Sequence, residues 1–359
     1  MPIPHVDVKA QYAPLIPQLK DAFARTLETG RFIFGPEVEG FEREAAELLG
    51  TREAVGVANG TDALVLVLDA LGIGAGDEVI CPSFTFYATA EAIARIGATP
   101  VFADIDPVSL NIDPAEVAQR ITPRTKALMP VHLYGRPAAV TELEQFGLPI
   151  IEDAAQAFGA RGIATSIAST FSFFPTKNLF ALGDGGLVAA NDPELAERVR
   201  LLRFHGSRAK KTFELIGYNS RLDALQAAML RIFLPHLPGW NEARREAAAR
   251  YGELGLGEIV ELPKDEAGHV YHMYCVRSPE RDALAAALGE AEIGFASYYD
   301  PPLHLQPSLR YLGYGEGDFP HTEKAALENL CLPMWAGISE AQQAEVVSVL
   351  RRASSLVRA

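Results

Sequence analysis

The sequence predicts an α/β fold, a mostly parallel sheet flanked by helices, followed by a smaller α+β unit. Three observations point to it. From about residue 54 to 190, short runs rich in β-branched and aromatic residues alternate with helical stretches, which is the signature of βαβ units around a buried parallel sheet. Around Asp223 to Gly252 the pattern turns helical. Beyond it, one alternating strand-like run and two helical runs remain. We therefore expect a large α/β domain over residues 1–240, including an N-terminal arm, and a small α+β domain over 241–359.

The elements follow in order. AVGVAN (54–59) reads as a strand, and TDALVLVLDALG (61–72) as a helix apolar nearly all round, hence buried. DEVICP, TPVFADID, KALMPVHL, LPIIED, STFSFF and GGLVAAND read as further strands, with ATAEAIARIG and PAEVAQRI as helices between them. Pro235 and Pro238 should break the later helical stretch. HVYHMYCVRS (269–278) alternates like a strand, and ERDALAAALGEAEIG reads as a helix. The last helix opens on Ser339 with Gln342 three residues on, a capping box. Val346, Leu350, Ala353 and Val357 give it one apolar face.

Composition narrows the function. A chain of 359 residues, 48% hydrophobic and 22% charged, can bury two sizeable cores. No apolar run approaches the roughly 18 residues that span a bilayer. MPIPHVDVKA has neither the basic nor the apolar region of a signal peptide, so a cytoplasmic location is expected. Three cysteines (Cys81, Cys275, Cys331) without a CxxC pair predict a reducing compartment and no disulfide framework. A formal net charge of −14 opposes nucleic-acid binding. His269 and His272 stand three apart on a run read as a strand, so they face opposite ways, and no metal site is expected.

Ligands of open α/β sheets sit beyond the carboxyl ends of the strands, and three features fall there. ANGTDAL turns from a strand into a helix at Asn59, Gly60 and Thr61. A glycine turn at a helix N-terminus offers free N–H groups and the positive end of the dipole, which suits a phosphate. Capping by Thr61 or Asp62 is the plainer reading of that turn. LPIIED ends on Asp153, either a turn former or the partner of a protonated ring nitrogen, as in enzymes using pyridoxal 5′-phosphate (PLP). FSFFPTKNLFALGDGG carries Lys177 between a strand and a glycine-rich turn, 24 residues beyond Asp153. Both side chains can then share one crevice, and a lysine that loses its proton there can form a Schiff base with an aldehyde. Ser172 could add a hydroxyl to the phosphate.

With these residues the chain resembles the PLP-dependent nucleotide-sugar aminotransferases of the DegT/StrS type, within the fold-type I aminotransferases. Ten stretches carry the likeness in order, among them GRFIFGPEVEGFE, LGIGAGDEVICPSFTFYATA, PVHLYG, IEDAAQAFGA, GYNSRLDALQAA, YYDPPLHLQP and CLPMWAGIS. The resemblance implies PLP as cofactor, Lys177 as the Schiff-base lysine and Asp153 as the partner of the ring nitrogen. It implies that Gln156 meets the 3-hydroxyl oxygen, that Gly60, Thr61 and Ser172 hold the phosphate, and that Phe86 stacks on the ring. Asn219 and Arg221 of GYNSRL would reach the neighbouring subunit's site, Asn219 to phosphate and Arg221 to a substrate anion, in a homodimer with shared sites. Tyr299 and His304 are candidates for the sugar or its diphosphate. The implied substrates are L-glutamate and a nucleotide-linked keto-sugar, a 3-keto sugar being favoured over a 4-keto one by PVHLYG and PPLHLQP. A non-catalytic PLP-binding regulator is the rival of another class. A cysteine desulfurase would need a mobile cysteine, and a Rossmann dehydrogenase a GxGxxG after the first strand that is missing here.

Overall fold

The computed structural model describes residues 2–357, and the Val357 side chain expected on the last helix lies outside the described part. Seven strands form by residue 190: β1 (Glu53–Val57), β2 (Glu78–Pro82), β3 (Thr99–Ala103), β4 (Thr125–Leu128), β5 (Ile151–Asp153), β6 (Ala168–Ser172) and β7 (Gly186–Ala190). They pair as β3–β2–β4 and β1–β7–β6–β5. Parallel bridges Leu128↔Ile150 and Val131↔Asp153 join β4 to β5, so one continuous surface runs β3–β2–β4–β5–β6–β7–β1. All neighbours are parallel except at β7, which is antiparallel to β6 and β1. That reversal brings the start of β7 to the same edge as the ends of β1 and β6. A Cβ on Gly186 would lie 2.4 Å from the backbone carbonyl of Asn59. Only glycine admits the turn that follows β1.

Helices cover both faces. The helix Gly60–Ala70 is buried nearly all round, with Ala63 to Leu68 at 5% exposure or less, between the sheet and the helices Ala88–Arg95 and Pro193–Leu202. Each buried Leu or Val contributes about 1.5–3 kcal/mol, so this helix, and with it the turn at its N-terminus, is held rigidly. The helices Ile16–Thr29, Pro36–Leu49 and Ala224–Phe233 pack on the opposite face.

The prolines divide the later helical stretch as expected: one helix ends at Phe233 and the next begins at Leu237. Pro235 lies in a 3₁₀ turn, Leu234–His236, and Pro238 in the first turn of the helix Leu237–Glu253, where a missing N–H costs nothing. This helix starts in the sheet-side core at Leu237 and ends in a separate core through Ala247, Ala248 and Tyr251. That second core holds β8 (Tyr274–Arg277), β9 (Asn329–Leu332) and the helices Arg281–Glu290 and Glu340–Val357. The capping box is reciprocal: Ser339 Oγ accepts from Gln342 N at 3.3 Å, and Gln342 Oε1 from Ser339 N at 2.9 Å. Ile3 of the N-terminal arm packs here too, bridged to Ile293.

Two expectations are corrected. HVYHMYCVRS is a strand only from Tyr274 onward. Its first half turns aside because other partners take its backbone: Arg244 donates to the carbonyls of Tyr271 and His272, Asn178 to that of Val270, and Val270 N to Gly135 O. The expected lack of disulfides also fails, since Cys275 and Cys331 are bonded. Antiparallel register places them directly opposite on β8 and β9, with Cα atoms 4.0 Å apart. Their separation of 56 residues gives no hint of it.

Candidate active site

A cavity of about 600 Å³ opens at the carboxyl ends of β1, β5 and β6. The Gly60–Ala70 helix points its N-terminus into it. Asn59 caps that helix, its Oδ1 accepting from Asp62 N at 2.8 Å, which leaves the N–H groups of Gly60 and Thr61 to serve a ligand. A Cβ on Gly60 would fall 2.7 Å from that of Ser172. Turn and serine therefore touch, and an anion above them meets N–H groups, a hydroxyl and the positive end of a helix dipole together.

Asp153 ends β5 on the cavity wall at 5% exposure. Thr89 Oγ1 donates to its Oδ2 at 2.8 Å and Ala155 N to its Oδ1 at 3.2 Å. Burial still raises its pKa above the usual carboxylate value, against the pull of those donors and of Lys177. Such a carboxylate is short of a cation. Lys177 borders the same cavity, and burial lowers its pKa to about 8, although the nearby charge of Asp153 works the other way. Its amine is therefore partly neutral near pH 8 and can act as a nucleophile or a base. Acid, amine and anion cradle fit a phosphorylated aldehyde with a basic ring nitrogen. The buried carboxylate of Asp153, its pKa raised by burial, and the glycine-only approach at Gly60 are the features that match it.

Gln156 links these groups to two tyrosines of a further apolar cluster. Its Oε1 accepts from Tyr134 N at 2.6 Å and its Nε2 donates to Tyr299 Oη at 2.9 Å. Phe86, 59% exposed, faces the cavity with its ring centroid 6.3 Å from that of Tyr299. Tyr299 also borders the cavity, next to two expected cofactor residues. Thus Gly60, Thr61, Phe86, Asp153, Gln156, Ser172, Lys177 and Tyr299 come together.

Three expected residues do not. His304 is 1% exposed and away from the cavity wall, with its Nε2 on Glu323 Oε1 at 3.1 Å and its ring against Phe319. It is corrected from a substrate contact to a packed side chain. Asn219 is exposed, its backbone paired with Phe204, and the Arg221 guanidinium lies over the Phe204 ring at 5.6 Å. Neither reaches the cavity of its own chain. Conversely, Thr89 went unforeseen, because a threonine inside a helix carries no signal of which carboxylate it will meet.

The family model described as "DegT/DnrJ/EryC1/StrS aminotransferase family" matches residues 15–351. A relative named "Pleiotropic regulatory protein" from Geobacillus stearothermophilus is 47% identical over 361 residues, covering 97% of each chain. A UDP-N-acetyl-3-dehydro-α-D-glucosamine 3-aminotransferase from Acidithiobacillus ferrooxidans is 44% identical over 98% of this chain and 97% of its own. The crystal structure of S. venezuelae DesV in complex with a ketimine intermediate superposes with a TM-score of 0.95, at 44% identity and 98% coverage of both chains.

Proposed function

We propose that this chain, which belongs to the DegT/DnrJ/EryC1/StrS aminotransferase family, uses PLP to convert a nucleotide-linked 3-keto sugar into the amino sugar with L-glutamate as donor. It is a sugar aminotransferase. The observation that carries the PLP-dependent chemistry is a lysine amine with a pKa near 8 sharing one cavity with a buried, under-compensated carboxylate. The 3-keto preference is supported by the named chemistry of the Acidithiobacillus relative.

When bound, PLP supplies an electron sink for the carbanion formed at an amino acid's α-carbon. Lys177 would hold it by the aldehyde carbon and Asp153 by the ring-nitrogen proton. Gly60, Thr61 and Ser172 would hold the phosphate, Gln156 the 3-hydroxyl oxygen, and Phe86 one face of the ring. The released Lys177 amine would take the donor's α-proton on Nζ and give it up again, a task suited to a base whose pKa lies close to working pH. Thr89 keeps Asp153 facing inward. Tyr299 would orient Gln156 and shape the sugar's entry.

The homodimer is part of the proposal. Asn219 and Arg221 lie away from their own cavity, so they would serve the partner's phosphate and a substrate anion. Phe174 on the cavity rim and Leu182, both about half exposed, offer apolar surface for a second copy. A division near residue 240, a large PLP-binding domain before it and a small α+β domain after it, and a cytoplasmic location where both substrates are metabolites complete the reading.

The test is L-glutamate-dependent amination across dTDP- and UDP-linked 3-keto and 4-keto sugars. The 3-keto members should turn over at least about tenfold faster in kcat/KM than the 4-keto members, the discrimination that a misplaced polar group costs. Faster turnover of the 4-keto set would reverse the assignment. Visible absorbance that L-glutamate cannot bleach would instead favour a regulatory role.

A further inference from the structure

We infer that Asn241 is a positioning residue whose side-chain amide ties the turn carrying Lys177 to the turn after Asp153, an inference that rests on the roles of Lys177 and Asp153 proposed above. Asn241 is a polar residue in an apolar place. The buried face of the helix Leu237–Glu253 runs through Leu237, Asn241, Arg244, Ala247, Ala248 and Tyr251, and Asn241 is 3% exposed there. Burying an amide is unfavourable unless it is hydrogen-bonded.

Its partners lie on two different turns. Asn241 Nδ2 donates to Phe158 O at 3.2 Å, two residues beyond Gln156. Asn241 Oδ1 accepts from Asn178 Nδ2 at 2.7 Å, one residue beyond Lys177. Main-chain carbonyls settle which way both amides face. Phe158 O can only accept, so Asn241 turns its NH2 there and its oxygen to Asn178. Val270 O accepts from Asn178 Nδ2 at 2.9 Å, which fixes the second amide and leaves Asn178 Oδ1 3.2 Å from His272 Nδ1. The fit at Phe158 is close: a Cβ on Gly159, at φ +81°, would lie 2.9 Å from Asn241 Nδ2 and 3.0 Å from Leu237 Cδ2.

A second path joins the same two turns. Val270, held by Asn178, donates its N–H to Gly135 O at 2.9 Å, and the neighbouring Tyr134 N donates to Gln156 Oε1 at 2.6 Å. Asn178 is buried, and Gln11 Nε2 of the N-terminal arm reaches its carbonyl at 3.4 Å. Backbone bonds within the lysine turn, Lys177 N to Phe174 O and Ala181 N to Phe173 O, span only a few residues. The side chain of Asn178 is what fixes that turn to the rest of the molecule, and Asn241 is its link to the Asp153 side. Asn241 itself stands away from the cavity wall, so it acts through the turns. Groups that must meet on one ligand need such a frame, since a misplacement of about 1 Å costs as much as about 10²-fold in rate.

The test compares Asn241→Ala, Asn178→Ala and the double variant with Val349→Ala, a control that thins the small-domain core. Hydrogen exchange of the cofactor-free proteins is read by mass spectrometry. Loss of the Asn241 amide should speed exchange about tenfold in two stretches far apart in sequence, 154–160 and 174–181, while residues 242–253 of its own helix keep wild-type protection. In the holoenzyme Asn241→Ala should lose about tenfold in kcat, with KM for the sugar within about twofold. The double variant should be no slower than Asn178→Ala, because both changes remove the same bridge. Val349→Ala should melt lower and keep its kcat. If Asn241→Ala fails to fold, Asn241→Ser carries the same measurements, since one hydroxyl cannot span both turns. Wild-type protection of either stretch in a folded Asn241 variant overturns the inference, as do an unchanged kcat or additive losses in the double variant. Failure of the parent reading would show separately: borohydride reduction of wild type with PLP would leave Lys177 unmodified, whereas the exchange result needs no cofactor.

Discussion

Lys177→Ala leaves a folded protein and lowers turnover by about 10³-fold or more, the loss expected when the proton-transferring group is removed. Activity assays with circular dichroism as a folding control check it. Stability should move the opposite way. Burial lowers the amine's pKa from 10.5 to about 8, so the folded state holds that proton less tightly than the unfolded chain. Wild type carries the full penalty below pH 8 and sheds it as pH rises from about 8 to 10.5, where the unfolded chain still binds the proton. The alanine variant should therefore melt at or above the wild-type temperature at pH 7, and the gap should close toward pH 10.5. Mixing inactive Lys177→Ala with Arg221→Ala extends the result. If sites are shared, Arg221→Ala is impaired by itself, a mixed dimer has one intact site, and about a quarter of wild-type activity should return; if each chain works alone, Arg221→Ala keeps its activity unmixed and mixing adds nothing.

Asp153→Asn has the second largest expected effect. The side chain keeps its shape, Ala155 N can still donate to the amide oxygen, and the Thr89 hydroxyl can turn to accept from the amide NH2, but the negative charge is gone. Truncating one member of a buried charge pair costs about 3–5 kcal/mol, which corresponds to about 10²–10⁴-fold in rate. The cofactor-free variant should be no less stable than wild type, because Asp153 is buried without full compensation and its pKa is raised for that reason. Thermal melting and steady-state kinetics on the same preparations check both halves. A variant that loses stability and keeps its rate would make Asp153 a structural residue.

What was legible in the sequence follows a physical rule. Gly60, Thr61, Asp153, Ser172 and Lys177 stand where strands end, and the alternation of apolar runs marks those ends directly. Gln156 and Phe86 came through the family likeness and also face the cavity. Features set by long-range packing were not readable. Thr89 meets Asp153 across 64 residues. Cys275 meets Cys331 only through the register of β8 and β9. His272 looked like one position on an alternating strand, but Arg244 draws that backbone out of the ladder and turns the ring to Asn178. His304 shows the converse: its motif suggested a ligand, and packing against Phe319 and Glu323 took it inward.

The central claim is a covalent bond between the amine of Lys177 and the aldehyde carbon of PLP. Reducing the holoenzyme with borohydride, digesting it and sequencing the modified peptide by mass spectrometry tests this most directly. A pyridoxyl phosphate group on the peptide FSFFPTKNLF, at Lys177 and at no other lysine, is the predicted result. The same group on a different lysine, or a holoenzyme that reduction leaves unmodified, would contradict it.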